Sequence, residues 1–342
     1  MTDSSSKNSN DENSPGTTFR VLALYNFVTP KLATESLKPL QKLLQDSCLQ
    51  YRARGTLLLA EEGINGTICY PFANRNPAAD DPLLNLIQSK FEGLRIRISE
   101  ANYYVFTRLK VKIKKEIVTI HQDGISPVES VGEYVKPEQW NDLINDPDTL
   151  VIDTRNQYEV DLGTFRNAVN PETQHFTEFP EWLQKHLEQN KGAPPKKVAM
   201  FCTGGIRCEK STGVCKRLVP ENVPVYHLEG GILAYLNDVP EEKSLFDGEC
   251  YVFDKRIAVG HKLKPSEKFS RSCYACRHPL SKEDVARDDF IEGLSCRWCC
   301  GTLSDKQKIR FEARQNQIRL AKERGEVHIR DPKEQMWEEK QD

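Results

Sequence analysis

Residues 196–213, KKVAMFCTGGIRCEKSTG, constrain the fold of this chain more than any other segment. The apolar run 198–201 predicts a short buried strand that ends at Cys202. A loop with two glycines follows and is closed by Arg207, and residues 208–218 are typical of a helix. Because the amides of such a loop and of the first helical turn point at one place, the order strand, loop, helix predicts an anion-binding cradle around Cys202.

Cys202 is the candidate nucleophile of this cradle. Its thiol is expected at the positive end of a helix and beside the Arg207 guanidinium, and such surroundings lower a cysteine pKa from about 8.5 by one or more units. Arg207 and the loop amides are expected to stabilise the thiolate. The supporting loop residues are Thr203, Gly204, Gly205 and Ile206. The alternative is a buried structural cysteine at the end of a strand.

The strands around this loop predict a parallel sheet. Residues 150–153 (LVID), 198–201 and 225–228 are apolar runs that alternate with helical segments. Active sites of such sheets lie at the carboxyl ends of the strands, where Asp153 and Cys202 both fall. Asp153 and Arg155 are therefore expected to brace the cysteine loop. Cys208 either acts as a relay thiol or packs inward at the start of the helix.

The first part of the chain predicts a ferredoxin-like domain, since its segments follow the order β-α-β-β-α-β. The predicted elements are 19–27, 32–49, 56–60, 67–70, 82–91, 94–99 and 111–120. Asn65-Gly66 is a strong signal for a hairpin turn between the second and third strands. In the run 108–115, Lys110, Lys112 and Lys114 share one strand face, which is either solvated or in contact with phosphates.

Composition limits the classes of partner. The formal net charge is −2, so any affinity for nucleic acid must come from a local basic face. No apolar run approaches the roughly 18 residues of a membrane span, and the polar opening has no signal-peptide core. Eleven cysteines, several in C-x-x-C pairs, suit thiol chemistry and metal binding in a reducing compartment. We therefore expect a cytoplasmic protein without a membrane partner.

Three motifs resemble a rhodanese domain: IDTRNQYEV, CTGGIRCEK after an apolar strand, and VYHLEGGILAY. The cysteine loop runs for six residues, which is typical of sulfur-carrying rhodaneses; related phosphatases use a loop one residue longer. The resemblance implies that Cys202 can carry a persulfide. It also leaves open a plain sulfurtransferase that moves sulfur from thiosulfate or from a protein persulfide.

Three further motifs widen the resemblance to the tRNA uridine hydroxylase family: EEGINGT at 61–67, RLKVKIKKEIV at 108–118 and GECYVFDKRIAVG at 248–260. This family implies an acylphosphatase-like domain at 19–122, a rhodanese domain at 138–246 and oxygen-dependent 5-hydroxylation of the wobble uridine, position 34, of tRNA. Segments 123–137 and 247–270 are then a linker and a connecting segment, with tails at 1–18 and 331–342. We find no flavin or nicotinamide fingerprint. A non-catalytic RNA-binding protein is the third hypothesis.

The segment 271–330 predicts a cysteine-rich module and a basic helix. Cys273, Cys276, Cys296 and Cys299 form two C-x-x-C pairs with the spacing of a structural Zn²⁺ site, although reduced or redox-active thiols are the alternative and Cys300 adds a fifth thiol. The basic helix is either a solvated face or a tRNA-binding surface. Its candidate tRNA-binding residues are Arg310, Arg314, Arg319 and Lys322.

Overall fold

The structure is a computed structural model that describes residues 18–72, 80–192 and 194–325. Its architecture confirms the predicted fold class: an acylphosphatase-like domain, a rhodanese-like parallel α/β domain and a cysteine-rich module. The predicted tails, 1–18 and 331–342, lie outside the described residues except for Thr18. Among the helices of the described ranges, none is long and apolar enough to cross a membrane.

The first domain has the seven predicted elements in the predicted order; the first six follow the ferredoxin-like pattern and the seventh is a further strand. Its elements are β1 (Phe19–Phe27), α1 (Thr34–Gln50), β2 (Arg54–Ala60), β3 (Gly63–Pro71), α2 (Pro82–Lys90), β4 (Arg95–Ala101) and β5 (Leu109–Ile113). The sheet order is β4-β1-β3-β2-β5, in which only β2 and β5 pair in parallel. Leu44 of α1 and Ile87 of α2 are buried with the apolar residues of the sheet, so both helices contribute to its core.

The prediction of a hairpin turn at Asn65-Gly66 is wrong. Both residues lie inside β3, and the turn between β2 and β3 is Glu61-Glu62. A Cβ on Gly66 would lie 2.0 Å from the carbonyl oxygen of Thr56, so glycine permits close strand packing there. The register buries Leu57, Leu59 and Ile64, and this burial outweighs the local turn preference of the dipeptide.

The strand predicted at 111–120 is also shorter than expected, because β5 ends at Ile113. The chain beyond it folds back around Glu116, whose carboxylate accepts hydrogen bonds from the backbone N–H groups of Ile120 and His121. These contacts satisfy the backbone locally, so no further sheet pairing is needed.

The second domain is built on a four-stranded parallel sheet with the order β6-β10-β9-β7. Helices α3 and α7 cover one face, around Trp140 and Phe201, while α5 and α6 cover the other, around Leu183 and Met200. The elements are β6 (Glu133–Val135), α3 (Pro137–Asn145), β7 (Thr149–Asp153), α4 (Gln157–Val160), β8 (Gly163–Phe165), α5 (Phe179–Gln189), β9 (Lys197–Phe201), α6 (Ile206–Leu218), β10 (Val225–Leu228), α7 (Gly231–Asp238) and β11 (Phe246–Gly248).

Two segments predicted to connect domains carry structure of their own. Strand β6 falls within the predicted linker 123–137 and pairs with β10, so this end of the linker belongs to the parallel sheet. The predicted connecting segment 247–270 contains the hairpin β12 (Cys250–Tyr251) and β13 (Ala258–Val259). Cys250 and Val259 are buried in the core around Trp140, which fixes the hairpin to the second domain.

The cysteine-rich module follows this hairpin. It comprises β14 (Arg271–Ser272), β15 (Pro279–Leu280), α8 (Lys282–Val285) and α9 (Asp305–Glu323). A small core of cysteine side chains and Leu280 replaces a conventional hydrophobic core. Small domains with limited cores often depend on a bound metal or on disulfides for stability.

Candidate active site and metal centre

Cys202 lies directly after β9, at the carboxyl edge of the parallel sheet. The loop that follows reaches α6, which begins at Ile206, two residues earlier than the sequence predicts. Gly205 has a φ of 96°, a left-handed conformation that suits glycine, and its N–H donates to the Cys202 Sγ at 3.1 Å. The Cys202 side chain is only 1% exposed. The predicted cradle of strand, loop and helix is therefore present, with the sulfur at its centre.

The surroundings of Cys202 favour the thiolate. Burial by itself raises the pKa of Cys202, but the Cys208 thiol, the Arg207 guanidinium and the N–H groups of the first helical turn outweigh it and lower this pKa to about 6. Burial and the neighbouring Cys202 raise the pKa of Cys208 well above its ordinary value. Cys208 therefore keeps its proton and donates a hydrogen bond to the thiolate, while Cys202 is mostly ionised at neutral pH.

Arg207 is held beside the sulfur by Glu159, a residue that the sequence analysis did not identify. The Arg207 Nη2 lies 2.9 Å from the Glu159 carboxylate, which also accepts the Thr203 hydroxyl at 3.1 Å. The carboxylate is completely buried, whereas the Arg207 side chain is 11% exposed. Within the described part of the chain, Arg207 Nη1 is buried without a hydrogen-bond partner. A buried donor without a partner is uncommon in folded proteins and marks this nitrogen as a candidate for binding an anion or a carbonyl group.

A local signal could have identified Glu159. Asn156 and Glu159 have the spacing of a capping box, and the Glu159 carboxylate does accept the backbone N–H of Asn156 at 3.2 Å. The sequence therefore fixes Glu159 at the start of α4. That both oxygens of this carboxylate also face Arg207 follows from the three-dimensional packing of α4 against the loop.

Asp153 and Arg155 contact the site indirectly. They form a completely buried ion pair at 2.7 Å, and Arg155 also donates to the backbone carbonyls of Glu159 and Gly163. Within the described ranges, neither side chain bonds to the cysteine loop. Arg155 instead supports α4 through the Glu159 carbonyl. Between them, the Thr154 hydroxyl donates to the Phe201 carbonyl and lies 3.8 Å from the Cys208 Sγ.

A second loop clamps the outer side of the cradle. The N–H groups of Ile232 and Leu233, at the start of α7, donate to the carbonyls of Cys202 and Thr203 at 2.9 and 3.0 Å. Gly231 makes this approach possible, because a Cβ there would lie 2.5 Å from the Cys202 oxygen and 2.7 Å from the Gly205 nitrogen. Gly204 and Ile206 are half-buried in the cradle.

The first domain reaches the start of α6 through Glu209. The Tyr25 hydroxyl of β1 donates to Glu209 at 2.8 Å, the Tyr134 hydroxyl donates at 2.6 Å, and the Arg95 guanidinium lies 3.7 Å away. Burial raises the pKa of Glu209, while the hydrogen bonds from the two tyrosines oppose this rise. Tyr25 also lies 3.0 Å from where a Cβ on Gly205 would stand. The first domain therefore forms one wall of the site.

Lys210, the next residue, makes a second connection between the domains. Its ammonium group is 2.7 Å from Glu116 and 2.9 Å from Glu62, both in the first domain, and it donates to the carbonyl of Val118. Its side chain is 3% exposed. Sequence alone could not reveal this contact, because Glu62 lies 148 residues away along the chain.

The four cysteines of the two C-x-x-C pairs converge on one point. Their sulfur atoms all lie within 4.8 Å of one another, with separations of 3.8 Å for Cys273–Cys299, 3.6 Å for Cys276–Cys296 and 3.9 Å for Cys296–Cys299. Four sulfurs at about 2.3 Å from a central ion lie about 3.8 Å apart in a tetrahedron. The cluster therefore fits a metal ion. Cys300 is exposed and lies outside this group.

The basic candidates lie away from the cysteine loop. Lys110 and Lys112 are on β5, at the edge of the first sheet, and Lys114 follows that strand. Burial and the nearby Arg108 and Lys112 lower the pKa of Lys110, which marks a local concentration of positive charge. Among the described residues, none of the three bonds to the loop.

Helix α9 presents the other basic candidates. Arg310 and Lys322 are exposed, and Arg319 is exposed with an ion pair to Glu323 at 2.5 Å. The Arg314 guanidinium instead stacks on Tyr274, 3.6 Å from the ring centroid, and this contact ties the helix to the first C-x-x-C pair. The end of the predicted segment 271–330, residues 326–330, lies outside the described residues.

Comparison with known proteins assigns the family. Residues 19–117 match the family model described as UPF0176 acylphosphatase like domain, and residues 136–238 match that of the rhodanese-like domain. The chain is 49% identical over 312 residues to the tRNA uridine(34) hydroxylase of Rhizobium leguminosarum bv. trifolii (strain WSM2304). That match covers 91% of this chain and 96% of the relative. The chain belongs to the tRNA uridine(34) hydroxylase family.

Solved structures show more distant likenesses, limited to part of the chain. The As-Sb reductase of Leishmania major is 21% identical with a TM-score of 0.29, covering 45% of this chain and 95% of its own. The thiosulfate sulfurtransferase of Pseudomonas aeruginosa is 15% identical with a TM-score of 0.26, covering 38% of this chain and 23% of its own. The tRNA uridine(34) hydroxylase relative, in contrast, matches across all three parts of the chain.

Proposed function

We propose that this protein hydroxylates carbon 5 of uridine 34 in tRNA, with Cys202 as the reactive group. The observation that supports this most is the conjunction of a thiolate with a pKa near 6 and near full-length similarity to a tRNA uridine(34) hydroxylase. The same cradle would stabilise a Cys202 persulfide, which is the form that a rhodanese-type reaction would use. In this proposal Arg207 Nη1, which has no hydrogen-bond partner among the described residues, binds a carbonyl oxygen of the uracil.

A thiolate in this position gives a chemical reason for reaction at carbon 5. Addition of the Cys202 sulfur to C6 of uracil breaks the C5–C6 double bond and delocalises its electron pair over C5 and the C4 carbonyl oxygen. Hydrogen-bond donors fixed near that oxygen stabilise the enolate. C5 then attacks oxygen, and loss of the C5 proton with expulsion of the thiolate restores the double bond. Overall, O₂ supplies the hydroxyl oxygen, and a two-electron reductant with two protons converts the second oxygen atom to water.

Nucleoside mass spectrometry of tRNA tests the proposal. Cells that lack the gene would be complemented with the wild type, with Cys202→Ser or with Cys300→Ser. We expect the wild type and the exposed-cysteine control Cys300→Ser to restore 5-hydroxyuridine at position 34, and Cys202→Ser to restore none. Restoration by Cys202→Ser would contradict the proposal. Thiosulfate-to-cyanide turnover at enzymatic rates, with tRNA left unmodified, would instead identify a sulfurtransferase.

We further propose that the four-cysteine cluster holds Zn²⁺ in a structural role. Four thiolate ligands complete a tetrahedral shell and leave no open position for a substrate. Metal analysis should find about one zinc per chain, and much less in Cys296→Ser. Iron instead of zinc would contradict this assignment.

We further propose that the basic residues of β5 and α9 form the tRNA-binding surface.

We also propose that the protein works in the cytoplasm. All eleven cysteines are free, which agrees with a reducing compartment.

A further inference from the structure

The cysteine-rich module contacts the second domain at α4, the single helical turn that carries Glu159. On the carboxyl side of Glu159, the His278 Nε2 lies 2.8 Å from the Asp161 carboxylate. On the amino side, the Arg277 Nη1 donates to the Tyr158 hydroxyl at 3.5 Å. Two consecutive residues of the module therefore hold the residue directly before Glu159 and the residue two positions after it.

His278 is itself fixed by the metal-ligand region. Its Nδ1 lies 3.3 Å from the Sγ of Cys276, and its ring stacks on Trp298 at a centroid distance of 4.7 Å and an angle of 11°. Trp298 lies between Cys296 and Cys299, so the imidazole is held between the two C-x-x-C pairs. One ring nitrogen contacts the Cys276 sulfur and the other contacts the Asp161 carboxylate of the second domain. Residues that bond to metal ligands in this way commonly orient the ligands.

Helix α4 needs such external support. A helix of four residues is not stable on its own, because the conformational entropy lost in forming the first turn exceeds the stabilisation from its hydrogen bonds. Arg155 holds it from inside the second domain, through the Glu159 carbonyl. The module holds its outer side. A shift of α4 would move the Glu159 carboxylate, and with it the Arg207 guanidinium that stabilises the Cys202 thiolate.

We propose that the cysteine-rich module is a positioning part of the active site: His278, through Asp161, fixes α4 so that Glu159 holds Arg207 beside Cys202. His278 and Asp161 are thus positioning residues and touch no substrate. The inference rests on the proposed function only in taking Cys202 as the reactive thiol. Loss of the contact should release Arg207 and raise the pKa of Cys202 toward its ordinary value.

The test measures the alkylation of Cys202 by iodoacetamide against pH, followed on the Cys202 peptide by mass spectrometry. The midpoint of this profile reports the thiolate pKa, and the measurement needs neither tRNA nor oxygen. The wild type should show a midpoint near 6. For Asp161→Ala and His278→Ala we expect a midpoint higher by about one pH unit, which corresponds to alkylation about fivefold slower at pH 6.

Two measurements distinguish loss of the positioning contact from unfolding of the module: the metal content of each variant and the alkylation midpoint of a matched control. Asp161 touches no cysteine, so Asp161→Ala should keep its metal and still shift the midpoint. Arg271→Ala, which removes an exposed ion pair with Glu292 in the same module, should change neither quantity. An unchanged midpoint in Asp161→Ala with normal metal content would overturn the inference. An inactive Cys202→Ser would still support the proposed function in that case.

Discussion

Lys210→Met tests whether the buried ion pairs of Lys210 with Glu62 and Glu116 stabilise the contact between the first domain and α6. The substitution keeps the apolar stem of the side chain and removes the charge that joins Glu62 and Glu116. Breaking a buried ion pair by removing one partner costs about 3–5 kcal/mol. The two carboxylates are 17% and 21% exposed and keep backbone N–H donors from Ile117 and Ile120, so we expect the low end, about 3 kcal/mol.

The loss should depend on pH with a defined sign. Burial alone would raise the pKa of Glu116, but hydrogen bonds from Lys210 and from the Ile120 N–H outweigh it and lower this pKa. A carboxylate whose folded pKa is depressed adds stability above its unfolded pKa of about 4.3, and this stability disappears as pH falls through the folded value. The stability difference between the wild type and Lys210→Met should therefore narrow below about pH 4.

Urea unfolding followed by circular dichroism measures both effects. Lys216→Met is the matched control, because Lys216 is on the same helix, is exposed and, among the described residues, donates to a single backbone carbonyl, that of Val131. We expect it to change the free energy of unfolding by less than about 0.5 kcal/mol. A loss below about 1 kcal/mol in Lys210→Met, or a difference independent of pH, would refute the reasoning that this ion pair stabilises the domain contact.

Three further variants address the cradle and the basic helix. Gly231→Ala should lower kcat/KM for tRNA about 100-fold, since the added Cβ would displace the cysteine loop. Gly260→Ala is the control, because a Cβ there meets open space. If Gly231→Ala were as active as the wild type, the role of Gly231 in holding the cysteine loop would be contradicted. Cys208→Ala removes the thiol hydrogen bond to Cys202 and should raise the pH midpoint of Cys202 alkylation above about 6, whereas the control Cys215→Ala should leave it unchanged. The same midpoint in Cys208→Ala and the wild type would show that Cys208 does not lower the pKa of Cys202. The double variant Arg319→Ala, Lys322→Ala should make the slope of log affinity for tRNA against log salt concentration shallower by about two. An unchanged slope would show that this helix face is solvated and does not contact tRNA.

The sequence predicted the elements whose physics is local. The run before Cys202 could be recognised as a buried strand because it is apolar and short, and Gly205 with Arg207 marked the loop. The four cluster cysteines could be recognised because two short C-x-x-C spacings leave little conformational freedom to the ligands. In each case neighbouring residues in the chain determine the geometry.

Predictions failed where distant pairing decides the conformation. Asn65-Gly66 has the strongest turn propensity of its region, yet Gly66 is paired on both sides, with Leu24 and Leu57, because the sheet needs a residue without a side chain there. The sequence indicates no contact for Glu209 and Lys210 beyond the first turn of a helix. Their partners come from strands of another domain, and no periodicity within α6 reports them.

Four consecutive residues explain why the reactivity of Cys202 depends on the whole assembly. Successive side chains of a helix point about 100° apart, so the first turn of α6 faces four directions. Arg207 faces α4, Cys208 faces the sulfur of Cys202, and the remaining two residues, Glu209 and Lys210, face the first domain. Because every side of this turn is packed, a displacement of any neighbour must move the amides that hold the thiolate. The groups that lower the pKa of Cys202 are Arg207, Cys208 and the N–H groups of this turn. The contacts of the same turn with α4 and with the first domain hold these groups in position.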